Sequence, residues 1–86
     1  MVSGAQIRAA RALLGMSAAQ LSERAGVGWA TVQRFESVDG IPVSKAGTLD
    51  RVKKTLETAG VIFVGDPVTS PGVQLRRAQA EQSEQE

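Results

Sequence analysis

Residues 17–36 read SAAQLSERAGVGWATVQRFE, two short amphipathic segments broken at one glycine. Ser17 is placed to cap the first segment, with Gln20 three residues on to close a capping box, and Met16 and Leu21 stand at the two positions of a hydrophobic staple. The run Ala25-Gly26-Val27 supplies a glycine where a helix end calls for a left-handed residue without a Cβ clash. A second helix is expected to start near Gly28 and to end at Glu36. Leu21, Ala25, Val27, Val32 and Phe35 fill the apolar positions of such a pair, and Ser22 fills the small position at the crossing. Two helices joined by a turn of three or four residues with these constraints make a helix-turn-helix. An ordinary packing hairpin satisfies part of the same pattern. Trp29, Ala30, Thr31, Gln33 and Arg34, however, all lie off the Val32/Phe35 stripe, and a merely solvated helix rarely exposes a tryptophan. The outward face of the second helix therefore points to DNA.

Working outward, Ser3 with Gln6 repeats the capping box and Val2 with Ile7 repeats the staple. Ile7, Ala10, Leu13 and Leu14 form an apolar stripe up to Gly15, so a helix is expected over residues 4–14. Asp39-Gly40 and Pro42 mark 37–43 as a loop. A fourth helix is expected to begin after Ser44 and run to Ala59, with Gly47 weakening its first turn by about 1 kcal/mol and allowing a start nearer Thr48.

Beyond Gly60 the pattern becomes strand-like. Val61-Ile62-Phe63-Val64 is β-branched and aromatic, 65–72 holds two prolines and turn residues, and Val73-Gln74-Leu75 alternates. A pair of strands is marginal alone, and its open edges invite a second copy. Val61, Ile62, Phe63, Val64, Val73 and Leu75 are thus expected either to build a two-fold dimer interface or to fold back as a hairpin on their own helices.

Gln6 to about Ala59 resembles the DNA-binding domain of Cro/CI-type (Xre family) repressors. The resemblance is carried by RAARALLGMS at 8–17, the helix pair, Glu36, and the Leu49, Val52, Leu56 stripe. It implies a mainly α, lambda-repressor-like bundle of four to five helices whose third helix enters the major groove; the C-terminal β-hairpin or dimerising strand pair read from the pattern of residues 61–75 adds to that bundle. It also implies that Arg11 and Glu36, at matching positions, pair as a structural clamp. Trp29 and Ala30 stand where the family usually carries polar readers, Ala18 replaces its polar residue at the start of helix two, and SVDGIPVS replaces its often basic loop. The Trp29 indole can pack on sugar or a thymine methyl, bond a phosphate, or cover the neighbouring helix.

At 86 residues the chain has room for one small domain, of a size that usually needs a staple or a partner. Without cysteine or histidine, disulfides are excluded and no metal site or cofactor is expected. No paired carboxylates or glycine-rich phosphate loop suggests an enzyme. No apolar run is long enough to span a bilayer and no signal-peptide pattern is present, so a cytoplasmic protein is expected. The formal charge of +1 hides an asymmetry. Residues 1–54 carry eight basic side chains (Arg8, Arg11, Arg24, Arg34, Lys45, Arg51, Lys53, Lys54) against four acidic ones (Glu23, Glu36, Asp39, Asp50), a net of +4, while the final EQSEQE carries three glutamates.

The division expected is therefore a helix-turn-helix domain at 1–60, a β extension at 61–76 and a flexible acidic tail at 77–86. Trp29, Ala30, Thr31, Gln33 and Arg34 are the expected base readers, and helix N-termini place Ser17, Gly28 and Lys45 as phosphate contacts. Double-stranded DNA and a homodimer are the expected partners, and transcriptional regulation, as a repressor or autoregulator on a palindromic operator, the expected role. The alternative is an antitoxin-like or anti-activator-like module that binds another protein through its strands or tail.

Overall fold

The structure, a computed structural model, describes residues 1–45 and 47–76. The acidic tail expected at 77–86 lies outside the described residues. Four helices come first, α1 (Gly4–Leu14), α2 (Ala18–Ala25), α3 (Trp29–Glu36) and α4 (Thr48–Thr58), followed by an antiparallel hairpin of β1 (Val61–Val64) and β2 (Gly72–Leu75).

Both N-terminal capping boxes form. The Ser3 hydroxyl accepts from the Gln6 amide at 3.2 Å and the Ser17 hydroxyl from the Gln20 amide at 3.0 Å, each returned by the glutamine side chain. The helix ends are equally defined. Gly26 takes φ 67°, its amide meets the Glu23 carbonyl, and the Val27 amide returns to the Ser22 carbonyl at 3.1 Å, completing a Schellman pattern. The same pair of bonds closes α1, from Gly15 to Ala12 and from Met16 to Arg11. Helix α4 takes the later of its two expected starts, because Gly47 at φ 82° sits outside the helix as its N-cap.

One core joins all the elements. Ile7 and Ala10 of α1, Leu21 and Ala25 of α2, Val32 and Phe35 of α3, and Leu49, Val52 and Leu56 of α4 are buried together with Val2, Met16, Val27 and Val61. Helix α1 is the centre of the packing, touching α3, α4 and β2. Its approach to the loop after α3 is close enough to require glycine: a Cβ on Gly4 would lie 2.0 Å from the Val38 carbonyl oxygen and 2.3 Å from that of Phe35.

The hairpin pairs within the chain, Val61 opposite Leu75 and Phe63 opposite Val73. These four residues point at the helices: Val61 is buried, and Phe63, Val73 and Leu75 pack against the core. By the two-residue alternation of a strand, Ile62 and Val64 take the other face. The docking is also polar, since the Gln6 side-chain amide donates to the carbonyls of Val64 (3.3 Å) and Gly72 (3.0 Å). The Arg76 amide bonds the Gly60 carbonyl at 2.8 Å, returning the end of β2 to the end of α4.

Candidate nucleic-acid interface

Helices α2 and α3 are separated by Gly26, Val27 and Gly28 alone. The turn is pinned from inside by Ser22, whose hydroxyl donates to the Val27 carbonyl at 2.6 Å. A small residue at this position thus brings the helices close and also satisfies a turn carbonyl. Val32 and Phe35 anchor α3 to the core at 0% exposure, which turns Trp29, Ala30, Gln33 and Arg34 outward and leaves Thr31 half-buried.

Trp29 is 56% exposed at the first turn of α3. Arg34, further along the helix, is not free. Its guanidinium donates to the Val43 carbonyl at 2.7 Å and lies 5.1 Å from the centroid of the Phe35 ring. Of its five donors one is therefore engaged, and the side chain is held by the Val43 carbonyl of the loop after α3 rather than extended into solvent.

The C-terminal end of α3 is fixed to α1 by two arginines. Arg11 grips both carboxylate oxygens of Glu36, at 2.6 and 2.7 Å, and donates to the Met16 carbonyl at 2.9 Å. The hydrogen bonds that Arg11 donates to the Glu36 carboxylate raise the Arg11 pKa above its ordinary value, against the opposing pull of partial burial. The pairing expected between these residues is present. Arg8, one turn earlier, donates to the carbonyls of Glu36 and Val38 and pairs with Asp39 at 2.6 Å. Sequence reasoning gave Arg8 no role, because only the chain path of the 37–40 loop brings those acceptors to it.

At the helix N-termini the expected phosphate contacts fall in different settings. The amide and hydroxyl of Ser17 are both engaged in the capping box, so the amides open to an anion at this end of α2 are those of Ala18 and Ala19. Gly28 caps α3 without any side-chain bond, and its carbonyl accepts from the amides of Thr31 and Val32, which leaves the Trp29 and Ala30 amides facing outward. Lys45 lies in the loop before α4, whose first turn begins three residues later, and its carbonyl accepts from the Thr48 amide at 3.1 Å. Its amide is therefore not a helix N-terminal donor, and any phosphate contact would come from its exposed ammonium group.

A second concentration of charge had no place in the sequence reading. Arg24 at the last turn of α2 and Arg51 and Lys54 of α4 line one cleft, on the far side of α2 from Ser17. Residues 51, 54, 55 and 58 recur at helical spacing, a visible signal, but nothing in the sequence alone brings α2 beside them.

Among the described residues no group of His, Cys, Asp or Glu could hold a metal ion, and no helix is long and apolar enough to cross a membrane. No family model matches the chain, and no curated protein matches it.

Proposed function

We propose that this domain is a non-catalytic, sequence-reading transcriptional regulator of the lambda-repressor-like, Cro/CI type, which binds a palindromic operator as a homodimer through α3. The observation that supports this most is the exposed row Trp29, Ala30, Gln33 and Arg34 on a helix whose opposite side is locked into the core and whose end is clamped to α1. Rigid presentation of an exposed helix face is what reading base edges in the major groove requires, with Gln33 and Arg34 supplying its polar groups here. Arg34 is assigned to a guanine, exchanging the Val43 carbonyl for base acceptors; Gln33 is assigned to an adenine or a phosphate, and Thr31 to a thymine methyl or a phosphate. The amides at the starts of α2 and α3 and the Lys45 ammonium group position the phosphates. Two such helices in a dimer read half-sites about 34 Å apart.

The test is a mobility shift on the DNA upstream of the chain's own gene, with random competitor and at two salt concentrations. Specific binding that falls with salt is expected, and Arg34→Ala should cost about 1–3 kcal/mol on the specific site while relaxing one base position. Equal loss on specific and random DNA would remove Arg34 as a reader. No preference over random DNA in the unaltered protein would overturn the regulator reading in favour of an antitoxin-like or anti-activator-like role, for which the outward Ile62 and Val64 of the hairpin offer a protein-binding face.

A further inference from the structure

The cleft between α2 and α4 is built from two helices and has a definite chemistry. Arg51, Lys54, Thr55 and Thr58 form one stripe of α4, and Arg24 faces them from the end of α2. Ala25 and Ala59 add small apolar surface between the charged groups. Its volume of about 610 Å³ is far beyond what a single water or small ion fills. The nearby acids offset it only in part: Asp50 pairs with Lys54 at 3.3 Å, an exposed contact that a further carboxylate can share, and Glu57 reaches Lys53 on the adjoining strip. Among the described residues neither Arg24 nor Arg51 makes an ion pair.

The end of the hairpin is tied to the chain one residue beyond the Ala59 end of this cleft. The Arg76 amide is bonded to the Gly60 carbonyl, and Gly60 directly follows Ala59, a lining residue. From that point the sequence continues for residues 77–86, RAQAEQSEQE, with three glutamates and one arginine. Along α4, Arg51 lies about 12 Å from Ala59 at 1.5 Å per residue. Five residues of extended chain, the separation of Glu81 from Arg76, reach roughly 17 Å. The glutamates are thus within reach of the basic stripe.

We propose that the basic cleft between α2 and α4 is the docking site of the chain's own C-terminal segment, with Arg24, Arg51 and Lys54 receiving Glu81, Glu84 and Glu86. Surface ion pairs are individually weak. Tethering at Arg76 raises the effective concentration of the segment to about the millimolar range, where several weak pairs together populate the docked form. The docked segment cancels the charge of the cleft, and any acidic partner has to displace it.

Zero-length carbodiimide coupling of the full chain tests this, since Lys54 is the one amine among the three cations. An amide between Lys54 and a glutamate of 81–86, mapped by mass spectrometry, should exceed those formed by Lys45 and Lys53 several-fold. It should fall several-fold in the double variant Arg24→Gln with Arg51→Gln, which alters neither coupling group, and likewise in 0.5 M salt, where folding of a variant is not in question. Equal coupling to all three lysines, or coupling indifferent to the two arginines and to salt, would overturn the proposal. In a mixture of ¹⁴N and ¹⁵N protein the coupled peptides should come from one chain; links found only between labels would assign the cleft to a second copy's segment. Absence of the link, with Lys54 shielded from amine labelling only on adding a random duplex, would assign it to DNA.

Discussion

Arg11 holds both oxygens of the Glu36 carboxylate, at 2.6 and 2.7 Å, and the Met16 carbonyl at 2.9 Å, so one guanidinium ties the end of α3 to the turn between α1 and α2. The pair is only partly shielded, with side-chain exposures of 23% and 8%. Against well-packed apolar replacements such a bridge adds little net stability, yet removing one partner strands the other. Glu36→Ala is expected to cost about 3 kcal/mol, the lower end for a broken buried pair because Arg11 keeps some water. The combined change Arg11→Met with Glu36→Leu should cost clearly less than the sum of the single changes. Chemical denaturation of the four proteins in a double-mutant cycle measures the difference.

Gly4 gives a second expectation from close approach. A methyl group there meets two backbone carbonyl oxygens inside 2.5 Å, and neither is the free end of a side chain. Gly4→Ala would raise helix propensity in isolation by about 1 kcal/mol. Overpacking against backbone outweighs that gain, and a net loss of about 1–2 kcal/mol is expected. For a domain of this size that lowers the melting temperature by roughly 4–15 °C. A thermal melt showing stabilisation would mean that α1 does not sit this close to the 35–38 carbonyls.

Gln6 is the polar hinge between the helices and the hairpin. Its side-chain oxygen accepts from the Ser3 amide while its side-chain nitrogen donates to the carbonyls of Val64 and Gly72. Gln6→Glu keeps the first bond and sets a carboxylate oxygen against two carbonyl oxygens. A cost of about 1–3 kcal/mol at neutral pH is expected for the groups left unpaired. This repulsion raises the folded-state pKa of the introduced acid above its unfolded value, so the deficit shrinks as pH falls through the folded pKa and returns as it rises. Urea unfolding at pH 7 and pH 4, with the unaltered protein as reference, should show that narrowing.

The helical half of the fold was legible because its signals are local. Ser3, Gln6, Ser17, Gln20, Gly15 and Gly26 act on backbone groups within a few residues, and every one of those caps forms where the spacing puts it. The four helices follow from such signals, and the β-branched and alternating runs mark the two strands, but whether those strands pair within the chain or between copies is decided by the docking of the hairpin on α1 and α4. The surroundings of the candidate interface are a different matter. That Arg34 is held by the Val43 carbonyl, that Arg8 collects the carbonyls of Glu36 and Val38, and that Gln6 bridges to Val64 and Gly72 depend on separations of 9 to 66 residues. No periodicity encodes those distances. Gln6 shows the difference most clearly, since its capping role is written in the sequence and its second role is set only by where the hairpin lands.

Asp66 ties the hairpin loop, with one carboxylate oxygen accepting from the amides of Val68 at 2.8 Å and Thr69 at 2.9 Å. The amide of Thr69 above all, then that of Val68, holds its pKa below the ordinary carboxylate value. A depressed folded pKa means that this contribution to the loop is present above the unfolded value and is lost as pH falls through the folded one. The amide proton resonances of Val68 and Thr69 should therefore titrate together in acid, below the midpoint of an exposed aspartate, and Asp66→Ala should abolish that titration.

The hairpin's alternation separates folding from assembly. Val61, Phe63, Val73 and Leu75 are committed to the chain's own core, whereas Ile62 and Val64 stand on the opposite face. If the proposed homodimer is built through this hairpin, Ile62 and Val64 carry the contact between copies. Ile62→Lys with Val64→Lys should then give a monomer by light scattering while the helical circular dichroism and melting of the fold are kept. Phe63→Ala, by contrast, removes a side chain packed against the core and should lower the melting temperature directly. On an operator with two half-sites the lysine variant should lose the joint binding that a dimer supplies and retain the weaker single-site binding of α3. A dimer that survives both lysines would place the contact between copies away from this face.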